Sequence, residues 1–124
     1  MDKYFVIFAG AGLGGLARFV AGTAIMNRFT GRFPLGTFLV NVSGCFLIGL
    51  IMTILTERLA PHQNWRLFLV VGFLGGYTTF SSFAFEMYIA SKTGLGLIAL
   101  INAIGSVVAG FVAVWLGSLI GAKR

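Results

Sequence analysis

The chain has 124 residues, of which 58% are hydrophobic and 10% are charged, and its mean hydropathy is +0.98. Such a composition lacks the polar surface that a water-soluble globule requires. The net charge of +6 comes from basic residues scattered at the ends of apolar runs, which argues against a nucleic-acid-binding face. The composition therefore predicts an integral membrane protein.

Four apolar runs are each long enough for the ~20 residues that a membrane-spanning helix requires. They cover residues 4–26, 34–55, 67–90 and 95–120. Because the connecting segments are short, we expect a single four-span, all-α domain over residues 1–124.

The first span contains the segment "GAGLGG", in which Gly10, Gly12 and Gly15 match the G-x-G-x-x-G pattern of dinucleotide-binding sites. That interpretation needs a preceding strand and an acidic residue about 20 positions later, and the sequence has neither. The spacing of Gly10 and Gly14 instead predicts close packing against another helix. Arg18 lies in the same span, and a charge inside the membrane is a candidate functional group.

The second and fourth spans each carry one polar stripe. Thr37 and Asn41 are spaced i, i+4 on the second span, and Asn102 and Ser106 have the same spacing on the fourth. Serine and threonine alone are common between membrane helices. A carboxamide left unpaired in hydrocarbon costs several kcal/mol, so we expect Asn41 to face a partner, water or a permeant ion.

The third span contains "GGYTTFSSFAFE", residues 75–86. Gly75 and Gly76 lower the cost of leaving helical geometry, and the hydroxyls of Thr78 and Thr79 can satisfy the backbone groups that a break frees. The segment therefore predicts a discontinuous helix. Carbonyl groups exposed at membrane depth are tolerated where they are buried in protein or coordinate a cation.

After the predicted break, Phe80 and Phe83 are spaced i, i+3 on one face of the resumed helix. Aromatic rings have positive edges, which can stabilise an anion without holding it as tightly as a full charge; ordinary packing is the alternative. Glu86 is the second charge inside a span, and it either pairs with Arg18 or lies with it near the mouth of a pathway.

No catalytic centre is evident from the sequence. His62 is the only histidine, Cys45 is the only cysteine, and the acidic residues number three. No nucleophile is paired with a base, and no set of zinc ligands is present. We therefore expect a protein that is not an enzyme.

The charges on the two sides of the membrane are nearly balanced. The N-terminus, second loop and C-terminus share one side and carry five basic residues, against three in the other two loops. Those five are Lys3, Arg58, Arg66, Lys123 and Arg124. Subtracting Asp2 and Glu57 leaves +3 on each side. The chain either inserts in one orientation with a weak signal or inserts both ways and associates antiparallel.

Three segments closely resemble the Fluc, or CrcB-type, family of small bacterial fluoride channels. They are "GLGGLARF" (12–19), "PLGTFLVNVSGCFLIG" (34–49) and "GFLGGYTTFSSFAFE" (72–86). The resemblance covers essentially the whole chain. Phe19, where the family has Tyr, and Ser82, where it has Thr, are conservative departures.

The resemblance implies a dual-topology antiparallel homodimer in the bacterial inner membrane, with two pathways that export fluoride passively. It implies that Asn41 faces the pathway, that Phe80 and Phe83 are ring-edge fluoride ligands, and that the backbone carbonyls of Gly75 and Thr78 hold a central Na⁺ shared by both subunits. The further candidates for the fluoride pathway are Thr37, Ser106, Arg18, Thr79, Ser82 and Glu86. Of these, Ser106 follows from the polar stripe on the fourth span rather than from the resemblance.

A small multidrug-resistance transporter is the alternative, since that family also has four spans and forms dual-topology dimers. Its members carry a glutamate in the first span, whereas this first span carries Arg18 and no acid. A membrane scaffold that transports nothing would leave Asn41 and the "TTFSSF" segment without a role.

Overall fold

The computed structural model describes residues 2–59 and 62–122, so Lys123 and Arg124, two charges counted above, lie outside the described residues. Within this part, the chain forms long helices joined by short connections. The helices are α1 (Lys3–Arg28), α2 (Leu35–Arg58), α3 (63–77), α4 (Phe80–Lys92) and α5 (Gly96–Gly121).

Among the described residues, four stretches are long and apolar enough to cross a membrane: α1, α2, the α3–α4 pair and α5. Each one contains or overlaps one of the four predicted spans, so the expectation of a four-span, multi-pass membrane protein is confirmed. Helices α1 and α3 begin earlier than their apolar runs. Asp2 accepts a hydrogen bond from the Tyr4 amide, and the His62 ring accepts one from the Asn64 amide; each side chain satisfies an otherwise unpaired amide at a helix start.

Glycines on α1 and α3 join these two helices along a close seam. A Cβ atom added to Gly14 would overlap the Phe73 carbonyl, and one added to Gly76 would overlap the Ala11 carbonyl. Gly10 is likewise held against Gly72 of α3. The backbones therefore touch, as the Gly10–Gly14 spacing predicts. Residue numbers rise together along both partners, so α1 and α3 run parallel.

Helices α2 and α5 form a second parallel pair of the same kind. Cβ atoms added to Gly49 or Gly117 would overlap the carbonyls of Val114 and Phe46, respectively. This pair supplies one wall of the bundle and the α1–α3 pair supplies the other. The junction of α3 and α4 lies across both pairs, because α1 and α2 each contact it.

Candidate functional site: the interrupted helix and its flanking cavities

The third span is interrupted at two threonines. Tyr77 ends α3, Thr78 (φ −85°, ψ 155°) and Thr79 (φ −148°, ψ 119°) have extended backbones, and Phe80 begins α4. The discontinuity predicted in "GGYTT" is therefore present. Gly75 and Gly76, which the sequence suggested as its origin, stay helical, and the chain leaves the helix after them.

Hydroxyl groups at the interruption satisfy part of the freed backbone. The Thr78 amide and its Oγ1 both donate to the Leu74 carbonyl, at 3.0 and 2.9 Å. Thr79 Oγ1 accepts a hydrogen bond from the Ser82 amide at 3.2 Å and thereby caps the start of α4. The hydroxyl-rich sequence thus supports the break, as expected from its composition.

Two side chains from other helices complete this support. Asn41 Nδ2 donates to the Thr79 carbonyl at 3.0 Å, and the Thr79 amide donates to Asn41 Oδ1 at 2.8 Å. The carboxamide of α2 therefore pairs with both backbone groups of one residue, as a neighbouring peptide unit does in a sheet. From α1, Arg18 Nε donates to the Gly76 carbonyl at 3.1 Å, which places a positive charge at the C-terminal end of α3.

The carbonyls of Gly75 and Thr78 differ from their neighbours. Those of Leu74, Gly76 and Thr79 accept the hydrogen bonds just described, whereas no donor among residues 2–59 and 62–122 reaches the Gly75 or Thr78 oxygen. Unpaired backbone oxygens at membrane depth are costly unless they coordinate a cation or meet another polar group. These two residues therefore fit a site for a hard cation such as Na⁺.

A cavity of about 480 Å³ lies between α1, α2 and the start of α4. Its lining includes five of the residues that the sequence analysis predicted for the fluoride pathway. These are Arg18, Thr37, Thr79, Ser82 and Glu86. Together these five residues bring a guanidinium, three hydroxyls and a carboxylate into one space.

No ion pair joins Arg18 to Glu86 within the part of the chain that the structure describes, which argues against the mutual salt bridge that the sequence left open. The Glu86 carboxyl shares this cavity with the Thr37 hydroxyl, and its Oε1 is buried without a hydrogen-bond partner among the described residues.

A second cavity, of about 370 Å³, lies on the other side of the interruption. Asn41, Gly75, Thr78, Thr79 and Phe80 contribute to its wall. Thr79 lines both cavities, so the extended backbone of the break forms the partition between them.

The two phenylalanines have different surroundings. Their ring centroids are 5.8 Å apart with the planes tilted by 51°, yet Phe80 is 78% exposed and Phe83 only 9% exposed. The protomer buries one ring and leaves the other uncovered. Phe83 lines neither cavity.

Ser106 lies apart from both cavities. Its hydroxyl donates to Asn102 Oδ1 at 2.9 Å, and Asn102 is only 2% exposed. The polar stripe predicted on the fourth span is thus a bonded pair facing inward.

The chain is similar to the proteins of one known family. A family model described as "CrcB-like protein, Camphor Resistance (CrcB)" matches residues 5–118. The chain belongs to the CrcB-like family. A relative from Solibacter usitatus, named fluoride-specific ion channel FluC, is 61% identical over 95% of this chain and 97% of its own length. Relatives of the same name from Acidobacterium capsulatum (44% identical, 96% and 95% covered) and a Hydrogenobaculum species (42%, 96% and 97%) also match.

Membership of the CrcB-like family confirms the resemblance read from the three sequence segments. The relatives are named as ion channels, which confirms the expectation that the chain is not an enzyme and argues against the small multidrug-resistance alternative. One contact of this family member escaped the sequence reasoning: the Ser43 and Tyr77 hydroxyls lie 2.9 Å apart. A lone serine and tyrosine on different spans carry no signal that they meet.

Proposed function

We propose that the chain forms a fluoride-selective channel that lets cytoplasmic fluoride leave the cell passively. The names of relatives up to 61% identical over nearly the whole chain support this function. The observation that carries it in the structure is the interrupted helix, which has a cavity on each side, one of them lined in part by Arg18, Thr37 and Ser82. A membrane protein with a purely structural role has no need of such an interruption.

Apart from the Glu86 carboxylate, the first cavity has the chemistry of an anion vestibule. Arg18 donates its Nε–H to the Gly76 carbonyl, and its remaining guanidinium N–H groups are available to an anion. The hydroxyls of Thr37 and Ser82 add neutral donors on the opposite walls. Fluoride is small and strongly hydrated, so closely spaced donors can replace its water while larger halides fit poorly.

Beyond the vestibule, the rings of Phe80 and Phe83 would present their edges to the ion, followed by the Ser106 hydroxyl on α5. Asn41 would act at this point mainly through the backbone of Thr79, because both ends of its carboxamide are bonded to that residue. The second N–H of its amide group stays available to face the ion.

The protomer is proposed to act as an antiparallel homodimer. Phe80 is exposed and the Gly75 and Thr78 carbonyls have no donor among the described residues, so both features call for a second surface. The balanced charges of the two sides favour insertion in both orientations, and a twofold axis in the membrane plane would give two equivalent pathways. The expected location is the bacterial inner membrane.

In this dimer, Gly75 and Thr78 would hold a structural Na⁺ between the subunits. The ion would supply positive charge opposite the unpaired carbonyls of both copies. Within each protomer, Gly75 lies in α3 and Thr78 follows the end of that helix, while Arg18 and Asn41 bind the neighbouring carbonyls of Gly76 and Thr79.

The proposal is tested by measuring ion efflux from liposomes that contain the purified protein. A fluoride electrode should report rapid release, and a chloride electrode should report little in matched vesicles. Equal release of both ions would contradict fluoride selectivity. Proton-coupled movement of organic cations with no fluoride release would contradict the channel itself.

A further inference from the structure

The seam between α1 and α3 opens toward the helix starts. Gly10 and Gly14 hold the backbones together, but Val6 and Phe68 carry side chains where the seam approaches the start of each helix. A cleft of about 780 Å³ lies at this end. The described residues that line it are Lys3, Val6, His62, Gln63, Asn64, Trp65 and Phe68.

The lining divides into an apolar floor and a polar rim. Val6 and Phe68 form the floor, and the rim carries an ammonium, an indole N–H and two carboxamides. His62 Nδ1 accepts a hydrogen bond from the Asn64 amide at 3.1 Å, so the neutral ring carries its proton on Nε2 and also offers a donor. No carboxylate is among the described lining residues. The cleft therefore suits a molecule that has both an anionic group and an apolar chain.

Two donors of the rim have no hydrogen-bond or ion-pair partner among the described residues. The Lys3 ammonium lies 5.2 Å from the centre of the Tyr4 ring, and no ion pair engages it among residues 2–59 and 62–122. The Trp65 indole is a donor only, and the described residues offer its N–H no hydrogen bond. Both groups are thus available to an anion.

The depth of the cleft in the membrane identifies the source of that anion. Because α1 and α3 run parallel, their starts lie at one end of the bundle, and the exposed side chains of Tyr4 and Trp65 mark the aromatic belt at the level of the lipid headgroups. We propose that this cleft binds an anionic phospholipid, with its phosphate at Lys3 and Trp65 and one acyl chain along Val6 and Phe68. The site is separate from the proposed fluoride pathway, since none of its described lining residues lines either cavity at the interruption.

The chain contains a matched control for the charge. Lys92 lies over the Tyr88 ring, also at 5.2 Å, and it ends α4 as Lys3 begins α1. It does not line this cleft. The two lysines therefore have the same kind of contact with a tyrosine ring, but only Lys3 lines the cleft.

The test is native mass spectrometry of the delipidated, detergent-purified protein, titrated with phosphatidylglycerol or with phosphatidylcholine of the same acyl chains. Lys3→Gln should weaken binding of the first phosphatidylglycerol about fivefold and leave phosphatidylcholine unchanged, whereas Lys92→Gln should change neither. Gln63→Trp, which fills the rim at an exposed position, should weaken both lipids. An unchanged Lys3→Gln variant, or equal losses in the two lysine variants, would overturn the proposal.

Two other occupants are separated by the same spectra. If millimolar inorganic phosphate or glycerol phosphate displaces the bound phosphatidylglycerol, the cleft is a site for soluble anions and the lipid proposal is wrong. If Gln63→Trp dissociates the protein into monomers, the cleft is a contact between copies, and the proposal is again wrong. Because binding is measured without fluoride, neither result bears on the channel function.

Discussion

The α1–α3 seam and the interruption that follows it are stabilised in different ways, although the third span takes part in both. Along the seam, glycines bring two backbones into contact, and both backbones are helical there. At Thr78 and Thr79 the helix cannot do so, and hydrogen-bonding partners come from α1 and α2. Close backbone packing stabilises the first region, and polar side chains from α1 and α2 stabilise the second.

This difference predicts distinct consequences of mutation. Substitutions in the seam should prevent the protomer from folding, because a backbone carbonyl cannot move aside as a flexible side chain can. Substitutions at the interruption should leave the seam intact and change stability through unpaired polar groups, or change ion flux alone.

The largest effect is expected for Gly14→Leu. Its side chain would overlap the Phe73 carbonyl, so little monodisperse protein should be recovered in size-exclusion chromatography. Gly12→Leu is the control, because a Cβ at Gly12 meets nothing within 4 Å in the protomer. Equal recovery of the two variants would mean that the seam is not what holds α1 to α3.

Asn41→Leu should be the most damaging change at the interruption. It leaves the amide and the carbonyl of Thr79 without their partner, at a cost of about 1–3 kcal/mol for each group. The melting temperature in detergent and the fluoride flux should fall together. Ser43→Ala, which removes a hydroxyl bonded to Tyr77 rather than to the broken backbone, should have the smaller effect. The reverse order would contradict the supporting role of the Asn41–Thr79 hydrogen bonds.

Phe80→Ile should reduce flux without reducing stability. The ring is exposed in the protomer, so its loss removes little packing, but the ring edge offered to the ion disappears. We expect at least about a tenfold loss of fluoride flux, or about 1.4 kcal/mol in the barrier. Phe85→Ile, at another exposed ring on α4, should conduct normally. Similar losses in both variants would favour a packing role.

Gly75→Ala should weaken assembly while leaving the protomer intact. A Cβ at Gly75 meets only the Val70 carbonyl, at 3.9 Å, so the protomer has room for it. If two copies and a Na⁺ meet there, the dimer fraction should fall and its dependence on Na⁺ should change. Gly76→Ala, which overlaps Ala11, should instead destabilise the protomer. A fully dimeric, Na⁺-insensitive Gly75→Ala protein would contradict the cation site.

The smallest effect is expected for Thr78→Ser. The serine hydroxyl can still donate to the Leu74 carbonyl, and only the methyl group that packs on Gly44 is lost. The cost should be about 1 kcal/mol, seen as a small drop in melting temperature with normal flux. A severe loss would show that the methyl contact, rather than the backbone oxygen, is the important feature of this residue.

Much of this architecture follows from local sequence. Apolar run length predicts the four spans because hydrocarbon thickness sets the length of a helix that crosses it. The Gly10–Gly14 spacing predicts the seam because positions four apart share one helix face. The concentration of glycine and hydroxyl residues in "GGYTT" predicts an interruption because these residue types lower the cost of freeing the backbone.

Other features were decided only by the tertiary structure. The break falls at Thr78 and Thr79 rather than at the glycines because Asn41 and Arg18, which are 38 and 58 residues away from their bonded partners, satisfy the backbone on either side. Tertiary packing also decides that Phe83 is buried and Phe80 exposed, because neighbouring helices cover one side of α4 and not the other. Helical spacing puts residues on a common face, but the partner that meets that face lies far along the chain, and only the assembled bundle determines which one it is.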